Sequence, residues 1–269
     1  MKSQAFDFSL SLGRTAGQKS VLAPANHLAY LKYMGKTRRS FSDQMQIYLD
    51  QLAFEHSEKI FPCSEMVKQE LIEFYKVEES KLEVLYPPFN TSKFTPHLKK
   101  EKTRLRKENG IGENQKVFIF VSTGHKRKGL DFLLKLFSLL DSKQYMLLVS
   151  GKPEVKTELK NIKNIGFNSH LNEWYALSDY LIHPAKYEPY GQIITEAIYM
   201  KTPVLISDNV GAKELVTNKE GKVLPEGDLD IWLQTILSVQ LSDFSFDEDF
   251  VTKNQLSLEA HMTKMLSKM

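Results

Sequence analysis

The sequence predicts an α/β protein whose second half is a parallel sheet covered by helices on both faces. From residue 117 to residue 239, short apolar segments alternate strictly with segments in which apolar groups recur at helical spacing. Continuously apolar strands are typical of a sheet buried on both faces. With 269 residues, the chain is also long enough for two hydrophobic cores. Strands joined by helices in this order form parallel, right-handed units, so we predict a Rossmann-like second half.

The part of the chain before this alternation carries isolated signals of strands and helices. Alternating apolar and polar residues predict a strand, and apolar groups three or four positions apart predict helices. Gly13 and Gly17 bracket a turn, and Ser64 is placed to cap the helix that follows it. The predicted elements are a strand at residues 6–12, a helix at 43–56, a strand at 59–62, a helix from Ser64 to Tyr75 and a strand at 82–85.

Each predicted strand of the second half is followed by a predicted helix. The strands lie within residues 116–123, 145–151, 161–167, 179–184, 203–207 and 222–224. The helices lie at residues 131–140, 155–160, 171–177, 192–200, 212–216 and 229–239. Residues 248–269 carry a weaker pattern that predicts a closing helix.

Composition and charge exclude several classes of protein. A formal charge of +3, from 36 basic against 33 acidic residues, gives no reason to expect nucleic acid as a partner. Cys63 is the only cysteine, so neither a disulfide within the chain nor a zinc site built from cysteines can form. The lack of a disulfide fits the reducing cytoplasm. The sequence contains no apolar run of about 18 residues, so it predicts no membrane-spanning helix.

The composition changes between residues 93 and 110, where the sequence is polar and basic. One interpretation is a solvated linker that leads into a surface helix. The alternative is a basic face that binds anionic lipid or an acidic acceptor. We therefore predict a first domain at residues 1–95, a basic linker at 96–110 and a second domain at 111–269.

One loop and helix of the second half combine residues suited to a phosphorylated ligand, although the familiar dinucleotide and P-loop motifs are absent. Glu188 follows a predicted strand, and Glu196 lies on the next predicted helix, which begins near Gly191. The loop therefore lies at the carboxyl edge of a parallel sheet, where ligands bind. Glycine lets a ligand approach the backbone, and the free N–H groups of a first helical turn favour phosphate. Considered alone, Glu196 could equally be a charge on a helix surface.

This segment resembles the signature of family-4 glycosyltransferases, which are retaining enzymes with the two-domain GT-B fold. The resemblance implies that Glu188 contacts the donor sugar as the catalytic residue and that Glu196 binds the ribose of the nucleotide. It also places Tyr190 in the donor site and the helix start at Gly191 and Gln192 against the leaving diphosphate. The matching residues are Glu188-Pro189-Tyr190-Gly191, Glu196-Ala197, Pro203-Val204-Leu205, Gly211 and Glu214-Leu215-Val216.

Two further segments extend the resemblance. In VSTGHKRKGLDFLL, Arg127 and Lys128 precede Gly129, at the place where the family's Arg and Lys bind the donor diphosphate. That diphosphate gains negative charge as the glycosidic bond breaks, and fixed cations stabilise it. By the same resemblance, Gly166 and Phe167 lie where the nucleobase meets the backbone. Without the resemblance, the basic run would be interpreted as a solvated loop.

Residues 1–95 look like the later part of the family's N-terminal domain and resemble most the bacterial enzymes that add hexoses to the lipopolysaccharide core. Full-length members begin with roughly a hundred further residues, which form much of the acceptor pocket. We therefore expect a complete C-terminal Rossmann-like domain and a partial N-terminal one that a second polypeptide could complete. Three histidines are also considered. His27 is interpreted either as a cleft residue or as a structural one. His170 is interpreted as a loop histidine and His183 as a core histidine.

The resemblance implies transfer of a hexose from a nucleotide diphosphate sugar, with UDP-hexose favoured, to a lipid-linked lipopolysaccharide or other surface-glycan acceptor. It implies retention of configuration, with no metal, no cofactor beyond the donor and no nucleic-acid partner. The expected location is cytoplasmic, with peripheral contact to the inner face of the membrane as an option. One alternative is a remnant that binds the donor nucleotide but is inactive alone. Another, less favoured, is an epimerase on the same fold.

Overall fold

The computed structural model describes residues 9–168 and 171–268, which fall into two compact units. The first unit runs to Pro88 and also includes the described residues from Gln255 onward, whereas the second runs from Phe89 to Asn254. This division differs from the predicted domains at 1–95, 96–110 and 111–269. The basic segment belongs to the second unit, and the C-terminal helix belongs to the first.

The first unit is built on a small parallel sheet with the order β1-β2-β3. Its strands are β1 (Leu10–Leu12), β2 (Ser20–Ala23) and β3 (Lys59–Pro62). Its helices before the division are α1 (His27–Tyr33), α2 (Phe41–His56) and α3 (Glu65–Tyr75). Ser64 caps α3 as predicted, because its hydroxyl accepts a hydrogen bond from the Val67 N–H at 3.1 Å.

The start of this unit departs from the predictions. The strand predicted at residues 6–12 is observed over Leu10–Leu12. Phe6 and Phe8 lie outside the described residues. Strand β2 and helix α1 were not predicted, since each is too short to show a period of its own. Asn26 begins α1 by accepting a hydrogen bond from the Ala29 N–H at 2.8 Å.

The strand predicted at residues 82–85 is reduced to a single bridge between Ile60 and Leu82. The segment does run beside β3, because the N–H groups of Glu83 and Leu85 donate to the carbonyls of Ile60 and Pro62 at 3.0 and 2.9 Å. Pro62 has no N–H to return a hydrogen bond, so the ladder stops there.

The second unit is a doubly wound α/β layer. Its strands are β4 (Lys116–Ser122), β5 (Tyr145–Gly151), β6 (Ile162–Gly166), β7 (Tyr180–His183), β8 (Val204–Ser207) and β9 (Gly221–Leu224). Its helices are α4 (Lys102–Glu108), α5 (His125–Lys128), α6 (Leu130–Ser138), α7 (Asn172–Leu177), α8 (Gln192–Tyr199), α9 (Leu229–Ser238) and α10 (Phe250–Lys253).

All neighbouring strands of this sheet are parallel, in the order β6-β5-β4-β7-β8-β9, so the predicted α/β class is confirmed. The chain winds outward from β4 in one direction and then outward from β7 in the other. The two halves therefore separate between β4 and β7, which leaves a crevice at the carboxyl ends of those strands. Within the described part of the chain, no helix is long and apolar enough to cross a membrane.

Large apolar side chains fill the space between this sheet and its helices. Phe118 and Phe120 of β4 are fully buried against Leu133 and Phe137 of α6, and Trp232 of α9 closes the same cluster. Each such side chain contributes about 1.5–3 kcal/mol by leaving water. This core keeps the two central strands rigid, and those strands carry the site.

The prediction of a helix at residues 155–160 is wrong, since the structure has no helix there. The side chain of Asn164 pairs with both the N–H and the C=O of Val155 at 2.9 Å, which holds the segment beside β6 in an irregular conformation. An asparagine that replaces two helical hydrogen bonds in this way leaves no apolar signature in the sequence.

The closing helix predicted at residues 248–269 is observed as two helices, α10 and α11 (Leu258–Ser267). Gln255 adopts a left-handed conformation with φ of 54°, which ends the first, and Ser257 caps the second. Helix α11 packs on the first unit, where Met265 is buried with Phe61 and Leu85.

The basic segment is not a solvated linker. Residues Pro96–Glu101 form a 3-10 helix that continues into α4. Lys99 Nζ donates to the carbonyls of Tyr175 and Ser178 at 3.1 and 2.9 Å and to Thr202 Oγ1 at 2.7 Å. Thr202 in turn donates to the Tyr175 carbonyl at 2.9 Å. This lysine therefore fastens the segment to the end of α7.

A buried ion cluster fixes α4 at the amino edge of the sheet. Arg106 Nη2 lies 2.7 Å from Asp179 Oδ2, and Lys102 also pairs with Asp179. Burial alone would raise the pKa of Asp179, but Lys102, Arg106 and the N–H of Val117 together lower it. The charges of Lys102 and Arg106 are therefore engaged inside the fold. Lys93, Lys100, Arg104 and Lys107 are exposed, so the alternative of a basic face stays a prediction.

We predict that Lys99→Met destabilises the second unit by about 1–3 kcal/mol. The Ser178 carbonyl loses the donor that Lys99 supplies, and the Tyr175 carbonyl loses one of its two donors. The matched control is Lys100→Met, an exposed neighbour whose loss should change the free energy of unfolding by less than about 0.5 kcal/mol. Both tryptophans, Trp174 and Trp232, lie in the second unit, so urea unfolding followed by their fluorescence reports on that unit. Equal losses for the two variants would contradict the anchoring role.

Candidate functional site

The residues predicted to bind phosphate come together where the strand order reverses. Arg127 and Lys128 end the short helix α5, which follows β4. Glu188 lies in the loop that follows β7, and β4 and β7 are adjacent strands. These side chains therefore converge on the crevice in which open α/β sheets bind ligands.

A glycine allows the two loops to approach each other this closely. Gly129 has a left-handed φ of 86°, and a Cβ added there would lie 2.1 Å from the carbonyl oxygen of Pro184. The Lys186 N–H donates to the Arg127 carbonyl at 2.9 Å, and Arg127 Nη1 donates to the Tyr187 carbonyl at 2.6 Å. The position of Arg127 is thus fixed by both its backbone and its side chain.

The carboxylate of Glu188 is enclosed by three nitrogen-bearing side chains. Its Oε1 lies 3.3 Å from Arg127 Nη1, and its Oε2 lies 3.2 Å from Lys128 Nζ and 3.6 Å from His183 Nε2. Burial alone would raise the pKa of Glu188, but His183 and the two cations hold it well below its usual range. The cluster therefore carries one negative and two positive charges, with a net positive charge for an anionic ligand.

The backbone around Glu188 is tied to the loop after β8. The Glu188 N–H donates to the Asn209 carbonyl at 2.9 Å, and its carbonyl accepts from the Gly211 N–H at 2.8 Å. Gly191 precedes α8 with a left-handed φ of 94°, and a Cβ there would lie 3.2 Å from Cγ of Glu188. Side chains larger than glycine would thus press on the carboxylate at the start of the helix.

Tyr190 and Gln192 flank this turn. Tyr190 is buried, whereas Gln192 is exposed as the first residue of α8. The first turn of α8 carries the positive end of the helix dipole. It therefore offers an anion a second source of positive potential beside the cations.

Glu196 lies one turn further along α8 and is half-buried. Its Oε2 accepts a hydrogen bond from the hydroxyl of Tyr175 at 2.9 Å. Burial raises the pKa of Glu196 and, together with the Glu196 charge, raises the pKa of Tyr175. Tyr175 was not singled out in the sequence, because it falls on the apolar face of α7 and looks like an ordinary core residue.

Gly166 ends β6 and Phe167 follows it, at the same edge of the sheet. Gly166 is left-handed with φ of 70°, and its carbonyl accepts from the Ser150 hydroxyl at 3.1 Å. Phe167 is 60% exposed, and Lys152 Nζ lies 5.6 Å from the centre of its ring. The segment thus presents backbone and an aromatic face to solvent at the place predicted for a nucleobase.

The three histidines have different surroundings. His27 is buried in the first unit, where its Nε2 lies 3.0 Å from Asp43 Oδ1, so its contacts favour the structural interpretation. Lys36 and Ser40 also bond to Asp43 and hold its pKa well below the usual range. His170 lies outside the described residues. His183 is fully buried and adjacent to Glu188, which places a predicted core histidine inside the site.

The region from residue 101 to residue 253, more than half of the chain, matches the glycosyl transferases group 1 family. The chain belongs to this family. The match contains every element of the site described above, from Arg127 to Glu196.

Two relatives illustrate the breadth of the match. A probable transglycosylase of Burkholderia thailandensis is 27% identical over 223 residues, which are 82% of this chain and 60% of that protein. The lipopolysaccharide glucosyltransferase WaaG of Escherichia coli is 28% identical over 166 residues, which are 56% of this chain and 44% of WaaG. The chain therefore spans only part of the length of the relatives that it matches.

Solved structures share the fold. A crystal structure of WaaG, a glycosyltransferase involved in lipopolysaccharide biosynthesis, matches with a TM-score of 0.73 at 18% identity, covering 96% of this chain and 72% of that one. HepE of Anabaena in complex with UDP-glucose matches with a TM-score of 0.72 at 15% identity, covering 94% and 79%. These likenesses confirm the predicted GT-B class of fold.

Proposed function

We propose that this protein is a retaining family-4 glycosyltransferase that moves a hexose from a nucleotide diphosphate sugar to a lipopolysaccharide or other surface-glycan acceptor. The observation that carries the proposal is the pair of cations, Arg127 and Lys128, beside the buried Glu188 at the switch point of the sheet. This arrangement provides positive charge where a diphosphate would lie and a carboxylate where a sugar would lie.

In the proposed reaction, the bond between the sugar C1 and the diphosphate oxygen breaks while the acceptor hydroxyl attacks C1, and the hydroxyl proton passes to the leaving diphosphate oxygen. Arg127 and Lys128 stabilise the negative charge that develops on the leaving diphosphate. The first turn of α8, at Gly191 and Gln192, supplies N–H groups to the same charge. Glu188 accepts hydrogen bonds from the sugar hydroxyls, and Glu196 accepts them from the ribose. The reaction is proposed without a metal, because these groups already provide the positive charge.

The proposed donor is a UDP-hexose, with its base against Gly166 and Phe167. Support comes from HepE, a solved structure of the same fold that holds UDP-glucose. The proposed acceptor class is supported by the similarity to WaaG, a lipopolysaccharide glucosyltransferase. The alternative is a protein that binds the donor but transfers no sugar unless a second polypeptide completes the acceptor side. Donor binding without turnover by the purified chain would favour that alternative.

We also propose that the first unit contacts an anionic membrane surface through helix α2 and the loop before it. Phe41, Met45 and Tyr48 are 78%, 42% and 55% exposed and lie on one face of the helix, at spacings of four and three. Arg38 and Arg39 in the preceding loop are exposed as well. Apolar side chains beside basic ones match a lipid interface with anionic headgroups. This surface is a candidate for membrane contact in addition to residues 93–110.

We predict that Arg127→Ala and Lys128→Ala each weaken UDP binding by about 1.5–3 kcal/mol, roughly 10- to 150-fold, because each removes a charge-assisted contact. Lys126→Ala is the matched control, since Lys126 lies on the same short helix but is exposed. Calorimetry with UDP and with uridine makes the measurement. Equal losses for the nucleotide and the nucleoside would contradict a diphosphate site.

The two glutamates should separate by ligand. Glu196→Gln should weaken UDP binding several-fold, because the ribose loses its charged acceptor. Glu188→Gln should not weaken bare UDP, since it removes a carboxylate that competes for both cations, but it should depress sugar transfer and the affinity that the sugar adds. The measurement is the affinity for UDP and for UDP-glucose in each variant. A Glu188→Gln protein that loses UDP affinity as severely as Glu196→Gln would show that these roles are misassigned.

For the membrane surface, we predict that Arg38→Ala with Arg39→Ala lowers binding to phosphatidylglycerol vesicles roughly 25-fold, at about 1 kcal/mol per charge. Phe41→Ser with Tyr48→Ser should also lower it, while Leu258→Ser, a 63% exposed apolar residue elsewhere in the first unit, should not. Vesicle flotation at low and physiological salt makes the measurement. Undiminished binding by both double variants would rule out this surface.

A further inference from the structure

The geometry points to His183 as a positioning residue that holds the Glu188 carboxylate in place when the donor is bound. This inference rests on the proposed function, in which Arg127 and Lys128 bind the diphosphate. The proposed reaction gives no role to His183, although its ring lies beside Glu188. Neither ring nitrogen of the fully buried His183 has a hydrogen-bond partner among residues 9–168 and 171–268.

An imidazole buried in this way is costly. A buried donor or acceptor without a partner costs about 1–3 kcal/mol, and such groups in folded proteins call for a specific explanation. A phenylalanine would fill the same space without that cost, since the aromatic ring of Phe120 already lies 6.1 Å from the His183 ring. A polar ring at this position is therefore best explained by a partner that it reaches in another state of the site.

The nearest polar group is the Glu188 carboxylate, whose Oε2 lies 3.6 Å from His183 Nε2. This distance is longer than a hydrogen bond, and Oε2 itself has no hydrogen bond of normal geometry within the described residues. The two atoms thus face each other in a buried space without a hydrogen bond between them, and the contact of Oε2 with Lys128 Nζ at 3.2 Å is an ion pair. A shift of about 0.7 Å would bring them to the usual N–H···O separation.

Charge competition supplies the reason for such a shift. The Glu188 carboxylate is paired with Arg127 at 3.3 Å and with Lys128 at 3.2 Å, the two groups that the proposal assigns to the diphosphate. A diphosphate carries more negative charge than one carboxylate and so draws both cations toward itself. Glu188 would then be a buried carboxylate without its counter-charges, a situation that folded proteins avoid. The Nε2–H of His183 can replace part of what the cations withdraw.

His183 is suited to donate as a neutral ring. Burial lowers its pKa, and the nearby Lys128 and Arg127 oppose a further positive charge, while Glu188 acts in the opposite direction. A neutral imidazole holds one N–H, and with the proton on Nε2 it donates to Glu188 without adding charge that would compete with the diphosphate. The consequence is a fixed carboxylate that keeps its lone pairs directed at the sugar hydroxyls.

The test compares His183→Phe, which removes the donor and keeps a planar ring, with His183→Gln, whose amide N–H₂ reaches about as far as Nε2. The quantity measured is the factor by which affinity for a nucleotide diphosphate glucose exceeds affinity for the nucleotide diphosphate alone, using whichever of UDP-, GDP- and ADP-glucose the wild type binds best. We expect His183→Phe to reduce this factor about tenfold, while its affinity for the nucleotide diphosphate alone changes less than twofold. His183→Gln should retain most of the wild-type factor. Where transfer is measurable, the donor KM should rise by about the same factor as the affinity for the nucleotide sugar falls.

The binding assay distinguishes a failure of the role of His183 from a failure of the proposed function. If the wild-type chain bound none of the three nucleotide diphosphates, the donor site itself would be refuted and this inference with it. If the wild type bound its donor but His183→Phe kept the full sugar-dependent factor, only the role of His183 would be refuted. Because His183→Phe could disturb folding, its melting by tryptophan fluorescence accompanies the assay. In the unmutated protein, the Nε2 proton signal of ¹⁵N-labelled histidine should also move downfield when the nucleotide sugar is added, and an unmoved signal would equally overturn the role.

Discussion

The balance of charge around Glu188 is the constraint on which the candidate site depends. Arg127 and Lys128 are brought together by a short helix and by the close approach of Gly129 to Pro184, and without a carboxylate between them two cations would repel each other. Glu188 offsets that repulsion while leaving a net positive charge. The same carboxylate that stabilises the folded loop is therefore the group that a sugar would meet, so stability and function share one residue.

A comparison of the two edges of the sheet shows why only one of them suits a ligand. At the amino edge, Asp179 with Arg106 and Lys102 also forms a triad of one carboxylate and two cations. There, however, Arg106 donates to three backbone carbonyls as well, and Asp179 accepts from the Val117 N–H, so the hydrogen bonds are complete. At the carboxyl edge the distances around Glu188 are 3.2–3.6 Å and Arg127 is 29% exposed. Completed hydrogen bonds fix the first triad, whereas the second keeps capacity for another partner.

How much the sequence could predict follows from how local each signal is. Strands such as β4 and β5 and the cap at Ser64 depend on neighbours in the chain, and these were predicted closely. The basic segment was misinterpreted because the partners of Lys99 are more than seventy residues away. Tyr175 and the grouping of α11 with the first unit were missed for the same reason, since only the folded chain brings those groups together. A family resemblance placed Glu188 and Arg127 in one donor site, which periodicity could not have supplied, but their ion pair was not predicted.

Helix α2 shows that a correct helix can still carry a misleading face. Its apolar spacing predicted the helix, in which Met45 and Tyr48 are exposed while Asp43 and Asp50 are buried. Asp50 accepts hydrogen bonds from Arg14, Tyr75 and the backbone of His27, so the buried face is held by charge and hydrogen bonds. Exposing apolar side chains and burying carboxylates both cost free energy in water. The exposed apolar face of this helix lies beside the exposed Arg38 and Arg39, and the proposed contact with an anionic surface rests on that combination.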